Sequence, residues 1–212
     1  MKKILFITTL LFSCFASANS STSDSTTEQT IMEKLSGKNG FEFKFEQKNF
    51  YKFLNQPRVT IGKAVYSAPA NFVWELFGDN AVKIVSDGKK IWIYSPAEEE
   101  GDKPTLAIRK AQTNDGIQSL ILGNKYKMTD LKPSKSKKGI KEVYITGSKD
   151  SEYHWAIVRV DDRKDFSLDS IEFEDKDGSK VLIEVKAFKR LAQKAPQGTF
   201  VFKAPKGTRI IK

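Results

Sequence analysis

The stretch from Gly62 to Pro96, GKAVYSAPANFVWELFGDNAVKIVSDGKKIWIYSP, constrains the fold of this chain more than any other. Apolar and aromatic residues recur there at a period of two, and turn-forming residues break the pattern at short intervals. The pattern predicts four antiparallel strands in series, around residues 64–66, 72–77, 81–86 and 89–94. The breaks fall at Ala68-Pro69-Ala70, Gly78-Asp79-Asn80 and Asp87-Gly88. Asp87-Gly88 reads as a two-residue type I′ hairpin, in which both central residues take positive φ.

The same alternation continues on either side. Phe41, Phe43 and Phe45 share one strand face, with Glu42, Lys44 and Glu46 on the other. Further strands are predicted at 126–128, 142–146, 153–160, 168–174, 180–188 and 199–203. Two segments change period. Residues 28–35 form a short amphipathic helix with Ile31, Met32 and Leu35 as its stripe and Gly37 just past its end. After Asp115-Gly116, the spacing of Ile117, Leu120 and Ile121 predicts a second short helix. No linker divides the chain after residue 28, so 28–212 is expected to be one mainly β domain. About eleven antiparallel strands make a sheet too broad to stay flat; alternation alone leaves a sandwich and a barrel both open.

Residues 1–18 read as an export signal. Met1-Lys2-Lys3 is the basic start, residues 4–15 are mostly apolar, and Ala16-Ser17-Ala18 is an A-x-A cleavage site. The apolar run is too short to span a bilayer as a helix. A rival cut before Cys14 would yield a lipid-anchored protein, but bulky Phe12 fits that processing poorly. Residues 19–27 are polar, Ser/Thr-rich and without apolar pattern, and are expected to be disordered. The one cysteine of the chain, Cys14, lies inside the signal, so the exported part must rest on its core and not on disulfides. The formal net charge of +10 falls to +8 once Lys2 and Lys3 are removed. This positive charge is spread along the chain, with one cluster at Lys132, Lys135, Lys137, Lys138 and Lys141. Export makes nucleic acid an improbable partner, and the charge favours solubility and anionic surfaces.

Catalytic chemistry finds little to work with. The single histidine, His154, sits in a strand-like run, and there is no Gly-x-Ser-x-Gly elbow. The acidic runs 161–165 and 174–178 lack EF-hand spacing. No enzyme activity, cofactor or metal is expected. The aromatic parities are the better candidates: Phe72, Trp74 and Leu76 on one strand, Phe43 and Phe45 on another, Trp92 and Tyr94 on a third. Taken alone, such faces are ordinary core.

In order, Pro69, Phe72, Trp74, Ser86-Asp87-Gly88-Lys89, Trp92, Tyr94 and Pro96 resemble the motifs of the LolA family of periplasmic lipoprotein carriers. The strand at 43–47, the helix at 117–124, the hairpin around Asp177-Gly178 and the closing Phe200-x-Phe202-x-x-Pro205-x-Gly207 extend the likeness over most of the chain. The resemblance implies an open, incomplete antiparallel β-barrel closed by a helical lid carrying Ile117, Leu120 and Ile121. Its concave face would be an apolar cavity for acyl chains, lined by Phe43, Phe45, Phe72, Trp74, Leu76, Trp92 and Tyr94. It further implies a periplasmic chaperone-carrier, expected as a monomer. The carrier would take lipid-modified proteins from an inner-membrane release complex to an outer-membrane acceptor. An acceptor anchored through Cys14 and a lipid-sensing regulatory module are the alternatives. Two departures stand out: Ala68 and Val73 occupy positions where the family often has arginine. An arginine there could hold a lid through backbone carbonyls, so the closed state is expected to be weaker here.

Overall fold

A computed structural model describes residues 31, 33–67, 70–79, 81–97, 99, 101–111, 126–147 and 153–211. The segments expected as export signal and leader, and the one expected as a helix with Ile117, Leu120 and Ile121, therefore lie outside the described residues, as does Ala68.

Thirteen strands form one sheet. They are β1 (Phe41–Phe50), β2 (Arg58–Ser67), β3 (Asn71–Leu76), β4 (Val82–Asp87), β5 (Lys90–Ser95), β6 (Thr105–Lys110), β7 (Tyr126–Met128), β8 (Lys132–Pro133), β9 (Ile140–Gly147), β10 (Tyr153–Asp161), β11 (Ser167–Asp175), β12 (Lys180–Arg190) and β13 (Arg209–Ile211). The order across the sheet is β13-β6-β5-β4-β3-β2-β1-β12-β11-β10-β9-β7, with β8 paired to β9. β1 thus closes the long meander β1–β6 against the second meander β9–β12. Among the described residues no pairing joins β13 to β7, so the sheet is not closed into a full barrel.

Three expectations need correction. The strands number thirteen among the described residues and not about eleven, and β13 runs parallel to β6 where every pair was expected antiparallel. No strand forms at 199–203. A 3-10 turn at Gln197–Phe200 folds the chain back instead, and Phe200 and Phe202 pack onto a sheet face. Their alternation reports extended chain lying across the sheet, which has the same period as a paired strand. The β4–β5 turn is not type I′. Gly88 alone has positive φ, +79°, and Asp87 stays extended within β4. The Asp87 carboxylate accepts from Lys89 N–H (2.8 Å) and Lys90 N–H (2.7 Å), which satisfies the turn without bending Asp87 itself.

The two faces of the sheet differ in chemistry. One carries the core cluster: Phe41, Phe43 and Phe45 of β1, Ala64 and Tyr66 of β2, Phe72 and Trp74 of β3, Ile91 of β5, then Val143, Ile145, Ala156, Ile171 and Ile183 from β9–β12. A buried face this wide, with little helix to cover it among the described residues, requires the sheet to curl over its own inner side. The other face is laced with cross-strand ion pairs. Lys48 reaches Glu184 at 2.9 Å, Lys63 reaches Glu75 at 2.9 Å, and Arg159 lies between Glu142 and Glu172. Hydrogen bonds from Lys48 and Lys186 hold the Glu184 carboxyl below its ordinary pKa. The half-exposed pairs among these, such as Lys63 with Glu75, contribute little stability each, but they keep this face toward water.

Candidate functional site

Register builds the inner face row by row. Across β1–β2–β3–β4–β5, Phe41 meets Tyr66, Phe72, Ser86 and Ile91 in turn. The next row is Phe43, Ala64, Trp74, Ile84 and Ile93. A third is Phe45, Gly62, Leu76 and Val82. None of these positions carries a formal charge. The rings interlock: Phe45 lies 4.4 Å from Trp74, Phe43 lies 5.9 Å from Trp74, and Phe41 lies 5.2 Å from Tyr66, centroid to centroid. Gly62 is glycine for a steric reason, since a Cβ there would overlap the Phe45 ring and sit 2.7 Å from the Glu75 carbonyl oxygen. Phe43, Phe45, Phe72 and Trp74 are buried, while Leu76, Ile84 and Ile93 are half-buried at the edge.

Five of the seven expected cavity residues therefore converge: Phe43, Phe45, Phe72, Trp74 and Leu76. Trp92 and Tyr94 do not join them. Trp92 pairs with Val85, which pairs with Val73, and all three face the opposite side of the sheet. There they receive the C-terminal segment. Phe200 packs with Val73, Val85 and Trp92, and the Tyr94 and Phe202 rings lie 5.2 Å apart. The inward residues of β5 are Ile91 and Ile93, which the sequence reading missed because it favoured aromatic size over register. Val73 also faces outward, so an arginine at that position would point away from the concave face, and the expected loss of a lid contact does not apply there.

The Ser86-Asp87-Gly88-Lys89 motif serves the turn. Buried Ser86 donates to the Ala70 carbonyl (3.0 Å) and accepts from Gly88 N–H (3.1 Å), tying the β2–β3 and β4–β5 connections together.

At one rim, residues 33–36 form a helical turn ending at Gly37, whose φ of +54° suits a helix C-terminus. Ile31 and Leu35 belong to the inner cluster. Arg190, at the end of β12, clamps this turn by donating to the Lys34 carbonyl at 2.7 Å, and also to the Asp165 carboxylate and carbonyl. Asp165 and Phe166 both hold positive φ, 52° and 53°, and this bend drives Phe166 into the core beneath the Lys34 ammonium. Asn39 adds side-chain bonds to the Leu191 and Ala192 carbonyls. Polar residues thus fasten an apolar cover, which sequence periodicity could not reveal because the partners lie more than 150 positions apart.

Elsewhere, His154 is exposed on β10. Among the described residues no group of three or more His, Cys, Asp or Glu is arranged to hold a metal, and no helix is long and apolar enough to cross a membrane. Within the basic cluster, Lys137 pairs with Asp169 and Lys141 with Asp162, each at 2.6 Å.

Among the described residues, then, one sheet whose ends are not paired carries an uncharged, largely apolar inner face across β1–β5, with a helical turn fastened at its rim. The chain belongs to the family described as outer membrane lipoprotein carrier protein LolA, which it matches over residues 36–203. It is 33% identical over 105 residues to an outer-membrane lipoprotein carrier protein of Psychromonas ingrahamii, a match covering 47% of this chain and 48% of the relative. The chain thus spans about half the length of the curated relative it matches. Its fold is similar to that of an uncharacterized conserved protein from Thermus thermophilus, with a TM-score of 0.51 at 12% identity over 87% of this chain and 98% of that one. A LolA superfamily protein from Nitrosomonas europaea aligns with a TM-score of 0.42 at 13% identity, over 83% and 98% of the two chains.

Proposed function

We propose that this chain is a periplasmic carrier that shields the acyl chains of lipid-modified proteins between inner and outer membrane. Residues 1–18 would direct export, and residues 28–212 would form the single carrier domain. The reading rests on the inner face of β1–β5, where three rows of largely apolar residues run across four or five strands without a charge.

An acyl chain in water costs about 0.8 kcal/mol per exposed CH₂, so a triacylated protein cannot cross an aqueous compartment unaided. Aromatic rings offset this cost with large rigid apolar area that demands no one partner shape. No bond is made or broken. Because Phe43, Phe45, Phe72 and Trp74 are buried in this state, loading requires the cover to move, and the Arg190 clamp is one restraint on that motion. An inner-membrane release complex would supply the cargo and an outer-membrane acceptor would take it, with the carrier acting as a monomer.

The test is release of a triacylated lipoprotein from inner-membrane vesicles into the soluble fraction by purified protein. Leu76→Glu places a carboxylate at the half-buried edge of the face, where folding tolerates it. Release should fall about tenfold or more, since a desolvated charge opposes lipid by more than 1 kcal/mol. Unchanged release by a folded Leu76→Glu protein contradicts the assignment of this face.

A further inference from the structure

Among the described residues, six of the eleven large apolar side chains left exposed gather in one place, the others being Ile108, Tyr144, Val201, Ile210 and Ile211. Among the described residues Phe50, Phe53, Leu54, Val59, Ile61 and Phe77 are all exposed, and all lie at the β1–β2 hairpin or against its flank. Phe53 is the extreme, at 80% exposure. Strand pairing with β3 stops at Gly62–Leu76, whereas β1 and β2 continue together to Asn49–Arg58. Four residues of β2 therefore run on past β3, roughly 13 Å of strand at about 3.3 Å per residue. The loop 51–57 lies beyond that. It is ordered by a Leu54 N–H to Tyr51 carbonyl bond (3.0 Å) and by stacking of the Tyr51 and Phe53 rings at 5.5 Å.

The charge at the tip of this projection has one sign. Lys52 and Arg58 are its only ionised groups between residues 50 and 59, and the Arg58 guanidinium sits over the Tyr51 ring at 5.9 Å. The neighbouring β11–β12 hairpin is mixed in charge, with Lys180 ion-paired to Glu174 at 3.5 Å and Asp175 and Asp177 in the turn where Gly178 meets the Lys52 side chain. A projecting tip of aromatic rings rimmed by basic side chains suits the boundary of a bilayer. There rings sit at headgroup depth, long basic side chains reach anionic phosphates, and no groove is required of the partner. A second copy fits less well, because tip-to-tip association would bring Lys52 and Arg58 against their own kind.

We propose that the β1–β2 hairpin tip, led by Phe53, is a membrane-contact element that docks the protein reversibly on anionic bilayers. It is separate from the inner face, so it stands or falls independently of the carrier reading. The test is flotation of the purified soluble protein with vesicles of roughly three parts phosphatidylethanolamine to one part phosphatidylglycerol, free of any lipoprotein. Wild type should float with the vesicles, and less so as salt rises from about 0.1 to about 0.5 M. Phe53→Asp, at a site too exposed to matter for folding, should lower partitioning about tenfold or more. The paired change Lys52→Gln with Arg58→Gln should weaken it and flatten the salt dependence. A control replacing Lys132, Lys135 and Lys138 by Gln should leave flotation nearly unchanged. The proposal fails if wild type does not float. It fails equally if folded Phe53→Asp floats as well as wild type, or if the control alone abolishes binding. Loss of flotation in Phe53→Asp with normal lipoprotein release would separate docking from carriage.

Discussion

Gly62 and Phe45 show how one residue pair sets the shape of the inner face. The ring of Phe45 occupies the space that any side chain at position 62 would need, and the Glu75 carbonyl closes the remaining room. Gly62 needs no positive φ, so its role is close approach alone. Gly62→Ala should therefore destabilise the protein by about 1–3 kcal/mol, as overpacking does in a close-packed core. Urea denaturation measures this directly. Adding Phe45→Leu should recover part of the loss, because the smaller side chain can yield to the methyl group. If the double variant is no more stable than Gly62→Ala, the conflict is with the Glu75 backbone and not with the ring. At this scale the sequence was partly legible. The shared parity of Phe41, Phe43 and Phe45 was plain, but nothing local marked Gly62 as the seat of a ring from another strand.

Strands and connections were read unevenly, for reasons that differ by element. β1, β3, β4, β5 and β11 stand close to where alternation puts them, because each sends alternate apolar residues into the inner core. The short edge strands β8 and β13 carry too few residues to show a period. The misplacement of Trp92 and Tyr94 has a definite cause. Which face of β5 matches which face of β3 depends on the connection 77–81, whose length fixes the register of β3 against β4. Gly78-Asp79-Asn80 marks a break there but not its exact length, so parity within each strand could not be carried across it. What register places on the outer side is a mating of two sequence motifs, Trp92-x-Tyr94 with Phe200-x-Phe202. A double-mutant cycle on Tyr94→Leu and Phe202→Leu should give a coupling of about 0.5–1.5 kcal/mol, the range for a packed ring pair. Additive effects would mean that the C-terminal segment rests on Phe200 alone.

Among the described residues the whole sheet presents two chemically different faces. The inner face, from Phe43 and Phe45 through Phe72 and Trp74 to Leu76, is the side assigned here to acyl chains. The outer face holds ion pairs and the C-terminal strap. Two tryptophans report on this division, since Trp74 looks inward and Trp92 outward. The most direct measurement uses a synthetic triacylated lipopeptide carrying a spin label on an acyl chain. It is added to two proteins that retain only Trp74 or only Trp92, the other tryptophans being replaced by phenylalanine. Fluorescence of the Trp74 protein should be quenched strongly and saturably, and that of the Trp92 protein weakly. Equal quenching of both, or quenching of Trp92 alone, would contradict the placement of the acyl chains on the inner face.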